Sequence, residues 1–533
     1  MKTRLLSIVC FGYLWSSPLF AQEHHHDSSM KELGSVNFPV SCTPAVQEKF
    51  TRGMALLYSF EYEQAQQSFE SVSQTDPACA MAYWGRGMSL YHQLWSRPSR
   101  ATLQQGAKLL RIAKERKCTP RERDYIAALA VFYTNPDKAG HQERATAYSK
   151  AMKIVMERHP EDREAAVLYA LSLLASEPED DTNLVNARAA VEILNKLFEE
   201  QPTHPGIAHY IIHSCDNPKM ASLALPAARK YAAIAPASAH AVHMPSHIFA
   251  RLGLWQDDIQ SNVAAIQIAD RMAGMHLHWA HHKIHSMDFL EYAYLQIGDD
   301  ANAKAQMDGI LAMRKSDVDS DFQDYLQSAQ SDFPMVYALE RRQWREALNL
   351  QPVADGPAYV QSGTYWGRAI AAGHLHDAAA AQEALKHYDQ LLAATRQGAK
   401  PYIADGMERQ RKVLKAWTDY ASGKQEQAAQ ELTAVADEQD KVGKGETELP
   451  AREMLADMLS DAGRTQEALA QYEISLHTDP NRFNGLAGAA EAAGKLQQKE
   501  KAAGYYAQLL KNCSGSHSDR PELQQAKMLV AAN

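Results

Sequence analysis

The 533 residues contain little that would build a sheet: runs of alternating β-branched residues are few and no Asn-Gly punctuation separates them. The chain is therefore expected to be nearly all helix. Basic residues are not in excess, with 55 Lys and Arg against 64 Asp and Glu and a net charge of -9. Nothing is available to neutralise a phosphate backbone, so nucleic acid is not expected as a partner. After the N-terminus, no stretch approaches the roughly 18 to 20 apolar residues that a spanning helix needs, and no transmembrane segment is expected. The six cysteines form no CxxC pair, which excludes zinc-ribbon, thioredoxin-type and c-type haem sites. Phosphate loops, dinucleotide fingerprints, nucleophile elbows and HExxH are also missing.

What is present begins with an address. Lys2 and Arg4 precede an apolar run that ends near Trp15, followed by Ser16, Ser17, Pro18 and Ala21. This reads as a cleaved signal peptide over residues 1–21, with a periplasmic or secreted destination. Export permits disulfides. Cys42 and Cys79 both fall at the entrances of neighbouring helices, so either a bridge or two separate buried thiols fits their positions.

Beyond a tail at 22–43, apolar residues recur at helical spacing in segments of about 12 to 18 residues, divided by Asp76-Pro77, Gly253, Gly298, Gly463 and Asp479-Pro480. The unit LPAREMLADMLSDAGRTQEALAQYEISLHTDP places Gly463, Ala468, Tyr472 and Pro480 at the offsets of a tetratricopeptide (TPR) repeat, which it resembles. Ala65, Phe69 and Pro77 repeat the pattern, which becomes degenerate between about 96 and 200. The resemblance implies an all-α fold, a TPR-like α-solenoid that is a right-handed superhelix of helical hairpins, with first helices lining a concave groove. It covers 44–437 and, after a charged, Gly-containing insertion at 438–450 that reads as flexible and able to divide the array into two bodies, continues over 451–516. A tail at 517–533 ends the chain.

Of 22 histidines, 11 fall between positions 204 and 285. His209 and His213 are four apart, as are His243 and His247, so each pair shares a helical face. The two pairs are displaced by 34 residues, one repeat, which sets them on adjacent parallel helices. His240 joins the second pair. A third stripe, His278, His281, His285, Asp288 and Tyr292, has spacings of three and four. Imidazole is the commonest transition-metal ligand, and His pairs at this spacing chelate. His209, His213, His240, His243, His247, His281 and His285 are the candidate ligands, with zinc, copper, iron or nickel as candidate metals. His204, His278 and Tyr292 are expected to line the groove, and Asp216, Asp288 and Glu291 are candidate proton carriers at 204–292. Metal-free readings remain open at this point: a groove that binds a carboxylate, or histidines packed only as core.

The segments HPGIAHYIIH, HMPSHIFARLG and DFLEYAYLQ also resemble a group of secreted bacterial TPR proteins. That resemblance implies that the cluster is a real unit and carries no activity with it. Two functions follow as expectations. One is an exported scaffold that binds a protein, peptide or small molecule, or a metal, in its groove; the other is a metal-dependent hydrolytic or oxidative enzyme. Trp84, Tyr91, His92 and Trp95 read as core, and Arg341 with Arg342 as a solvated face.

Overall fold

The computed structural model describes residues 32–94, 97–134, 138–178, 181–274, 279–398, 400–516 and 518–531. Among them every regular element is a helix. The expected signal peptide, Trp95 and His278 lie outside the described residues. No helix among those described is long and apolar enough to cross a membrane.

Antiparallel helix pairs follow one another from Gln47–Tyr58 with Tyr62–Thr75 to Phe483–Lys495 with Lys499–Asn512. The packing explains the pattern of small and aromatic residues. A Cβ at Gly53 or Gly85 would lie 2.7 or 2.5 Å from the ring of Phe69, so that ring fills the space between two helices that only glycine leaves open. Tyr472 stands in the same relation to Gly488, at 2.3 Å. Pairing stays regular through 96–200, where the sequence pattern is weak: Arg100–Lys114 packs on Pro120–Phe132, and His141–Arg158 on Arg163–Ala175. Gly106 accommodates Tyr133 there, which is the same device with other residues. Trp84 and Tyr91 are buried in this core, and Tyr91 stacks on Phe132 with ring centres 3.7 Å apart.

The superhelix is tight enough for non-neighbouring repeats to touch. Gln47–Tyr58 packs against Pro205–Cys215, and one apolar core runs from Leu33 to Phe249. The expected open groove is therefore filled with side chains in this part of the array. Residues 32–43, expected as a tail, lie along the entrances of several repeats. Ser35 N donates to Thr203 O at 3.0 Å, Ala237 N to Glu32 O at 3.2 Å, and Phe38 is buried among Phe50, Trp84 and Tyr125. Cys42 is bonded to Cys79, with Cα atoms 4.9 Å apart. This bond closes a loop across a sequence separation of 37. A Cys42→Ser/Cys79→Ser chain is expected to lose about 2–4 kcal/mol of stability. Urea unfolding read on the N-terminal repeats checks this, and an unchanged midpoint would refute it.

The segment 438–450 does not divide the array. Helix Gln425–Val442 takes in its first five residues, and the core continues across it, with Trp417 and Leu432 in one cluster with Met454 and Leu455. The C-terminal repeats also return to the middle of the chain. Gly253, at φ +63°, faces the turn before Phe483–Lys495, where a Cβ would stand 2.2 Å from Pro480 O. Trp255 Nε1 donates to Asn481 O at 2.8 Å, and Asn481 Nδ2 donates to Gly253 O at 3.1 Å. Arg341 and Arg342, read from sequence as a solvated face, belong to this junction: they pair with Asp300 at 3.1 Å and Asp457 at 2.9 Å.

Candidate metal centre

Helix Pro205–Cys215 starts with Pro205 at its first position and His204 as its cap, the His204 Nδ1 accepting from Ile207 N at 3.2 Å. The other ring nitrogen of His204 lies 3.3 Å from Glu164 Oε2. His204 is thus a structural residue of the helix entrance and does not line the cluster. From the same helix His209 and His213 enter the interior. The helix one repeat later is interrupted at Met244, because Pro245 has no N–H for the ladder, giving Ala239–His243 and Pro245–Arg251. His240, His243 and His247 still meet the first pair. Helix Ala280–Gln296 supplies His281, His282 and His285.

Two groups of three imidazoles result, each with one nitrogen per ring gathered within 4.8 Å: His209, His213, His240, and His243, His247, His285. The His209 and His240 Nε2 atoms are 3.0 Å apart, as are those of His243 and His247. Hydrogen bonds behind the rings fix which nitrogen carries the proton. His209 Nδ1 lies 2.7 Å from the Tyr58 carbonyl, which only accepts, so Nδ1 donates and Nε2 keeps its lone pair. His243 Nδ1 donates to Asn262 Oδ1 at 2.7 Å, since the Asn262 amide nitrogen is held by the Asp258 carbonyl at 3.0 Å. His247 Nδ1 donates to Asp216 Oδ2 at 2.8 Å and Glu446 Oε1 at 3.1 Å. Such partners orient ligating histidines and raise their basicity.

Burial keeps most of the rings neutral. It pulls His209 down to about 3 and His281 to about 3, and holds His213, His240, His243 and His285 well below the usual imidazole value. His247 is the exception: burial opposes charge, but Asp216 and Glu446 outweigh it and lift the ring to about 10. Arg251 balances the two carboxylates, at 3.0 Å from Asp216 and 3.1 Å from Glu446. His282 is held up by Glu61, 3.5 Å away, against the effect of burial.

The remaining sequence candidates separate by height along their helix. His281 stacks on Tyr325 at 5.2 Å and belongs to neither group of three. Asp288 accepts from Thr447 Oγ1 at 3.1 Å and is pushed by burial up to about 7. It lines a cavity of about 560 Å³ with Tyr325, Asp332, Trp366, Thr447 and Glu448. Glu291 is buried, with its carboxyl pushed well up, and does not reach the histidines through any bond. Tyr292 bonds Arg482 in the junction with the C-terminal repeats and does not line the cluster. Sequence reasoning missed Glu446, Asn262, Asp258, Arg251, His282 and Glu61. Only His282, inside the string HWAHHKIH, and Arg251, inside HMPSHIFARLG four residues after His247, carried a signal in their own neighbourhood.

The fold and site together define an all-helical, TPR-like solenoid with a buried cluster of histidines at its centre. No family model and no curated protein matches the chain. Among solved structures, it is similar to the human IFIT1 dimer with m7Gppp-AAAA at 13% identity and a TM-score of 0.36, covering 85% of this chain and 90% of that one. It is also similar to the monomeric IFIT1 mutant with Gppp-AAAA at 13% identity and a TM-score of 0.36, covering 84% and 90%. At so low an identity and TM-score, these likenesses carry no weight for function, and the solenoid is established by its own helix pairs.

Proposed function

We propose that this protein is an exported TPR-type binding protein that holds a transition metal ion in its interior, at the group His243, His247 and His285 with Asp216 and Glu446 beside it. The observation that carries the reading is the direction of the Nε2 atoms. His243 and His247 each commit Nδ1 to an acceptor and face each other through Nε2 atoms 3.0 Å apart. Nitrogens bound to one ion at about 2.0–2.1 Å stand at roughly this separation. Imidazole donors without thiolate suit copper, zinc, nickel or iron, and disfavour calcium and magnesium. The cavity of about 560 Å³ between helix Ala280–Gln296 and the repeats that follow it, lined by Asp288, Tyr325, Trp366 and Thr447, is the place for a small-molecule or peptide ligand.

A metal-dependent enzyme is the second reading, and Asp288 is what favours it. A carboxyl held near 7 at the wall of a cavity exchanges protons readily at neutral pH. Elemental analysis of untagged protein separates the metal reading from a purely structural cluster. At least one transition metal ion per chain is expected, and its loss from the second group in a His243→Ala/His247→Ala variant of unchanged helical content. Metal content unaffected by that double change would overturn the assignment.

A further inference from the structure

We propose that the cluster holds two transition metal ions, one in each group of three imidazoles, so that the interior is a dinuclear centre. This rests on the metal reading above and extends it to His209, His213 and His240. The argument starts from reach. Two donors on one ion at 2.0–2.1 Å can be at most about 4.2 Å apart. Among the described residues, the sets of possible donors lying within 4.8 Å of one another are His209 with His213 and His240, His243 with His247 and His285, and Asp216 with His247 and Glu446, and no set joins the first three rings to the others. One ion therefore cannot gather all six rings. A four-coordinate ion at the second group would leave three further imidazoles buried beside it.

Those three have the features of ligands in their own right. His209 and His240 face each other through Nε2 at 3.0 Å, with the His209 proton fixed on Nδ1 by the Tyr58 carbonyl. His213 Nε2 is buried with no hydrogen-bond partner, an arrangement that costs about 1–3 kcal/mol in a protein interior and that a cation relieves. The group is also held rigidly. Phe60 packs on all three rings, at 4.4, 5.4 and 5.7 Å from His209, His213 and His240. Phe289 does the same for the second group, at 5.0, 4.7 and 5.2 Å from His243, His247 and His285.

The groups are close neighbours. His213 and His247 have ring centres 6.5 Å apart, and His240 and His243 6.4 Å. They differ in surroundings, since the first is made of imidazoles alone and the second has Asp216 and Glu446 within reach of His247. The chemical class of occupant is a pair of nitrogen-preferring divalent ions, such as copper or zinc.

The test uses the full chain with His24, His25 and His26 changed to alanine, so that the N-terminal tail adds no copper. Metal-free protein is saturated with Cu(II), desalted and counted for copper per chain. Two per chain are expected, falling to one in His209→Ala/His213→Ala and to one in His243→Ala/His247→Ala. Saturation of the parent chain at one ion would overturn the dinuclear centre while leaving the metal reading intact, and a count of zero would end both. The parent count decides the matter even if a double variant fails to fold.

Discussion

An Arg482→Met chain is expected to lose about 3–5 kcal/mol of stability, one of the two largest effects that this structure predicts. Arg482 is 1% exposed and lies between Glu340 and Glu453, themselves 1% and 4% exposed. Its Nη2 donates to Glu340 Oε1 at 2.7 Å and Glu453 Oε1 at 2.8 Å, its Nε to Glu453 Oε2 at 2.9 Å, and its Nη1 to the Tyr292 hydroxyl. Methionine fills much of the volume but leaves two carboxylates buried without a counter-charge. The cost should shrink as pH falls, because the buried Glu453 carboxyl, pushed up by desolvation, then takes up a proton instead of bearing charge. Denaturant unfolding and limited proteolysis after the helix Ala451–Asp461 are the measurements. A midpoint equal to the parent's at pH 7 would mean that the ion cluster adds nothing to the junction.

Acid is expected to unfold the metal-free protein between pH 7 and pH 4, through the depressed histidines. For His209 the folded value is about 3, against about 6.5 for an ordinary imidazole. The contribution is thus fully present above pH 6.5 and is lost as pH falls towards 3, because only the unfolded chain takes up the proton. At pH 5 the difference spans about 1.5 units, or about 2 kcal/mol for this ring alone. His213, His240, His243 and His285 act in the same direction. His247 acts oppositely: its raised value favours the fold below pH 6.5 and ceases to do so as pH rises through about 10. Helical content followed from pH 7 to pH 4 should therefore collapse within that window, and a His209→Gln chain should unfold at lower pH than the parent. An acid midpoint unmoved by that substitution would remove the histidines as the cause.

The repeats were legible because their packing is local. Phe69 meets Gly53 and Gly85, each 16 residues away, so the motif contains its own contacts. The histidine pairs were legible for the same reason, through four-residue spacing and a shift of one repeat. Periodicity gives the direction of a side chain around a helix and says nothing of its height. Tyr292 shares a face with His285, but seven residues carry it about 10 Å further along the axis, to Arg482 instead of the cluster. His204 was misplaced because an imidazole beside Pro205 caps a helix as well as it lines a site. Glu446 stood out of reach: it is 199 residues from His247, in a segment with no periodic pattern to place it.

The clasp between Gly253 and Asn481 has a mechanical consequence. Open solenoids lengthen and shorten like springs, and ligands enter as their coils part. Here one coil is buttoned to another by Trp255, Asn481 and a glycine that leaves no room for a side chain, so extension is blocked at the level of the histidines. The segment carrying Lys444 and Glu446 closes the same interior with polar bonds instead, Lys444 O accepting from Arg251 and Glu446 Oε1 bonding both Arg251 and His247.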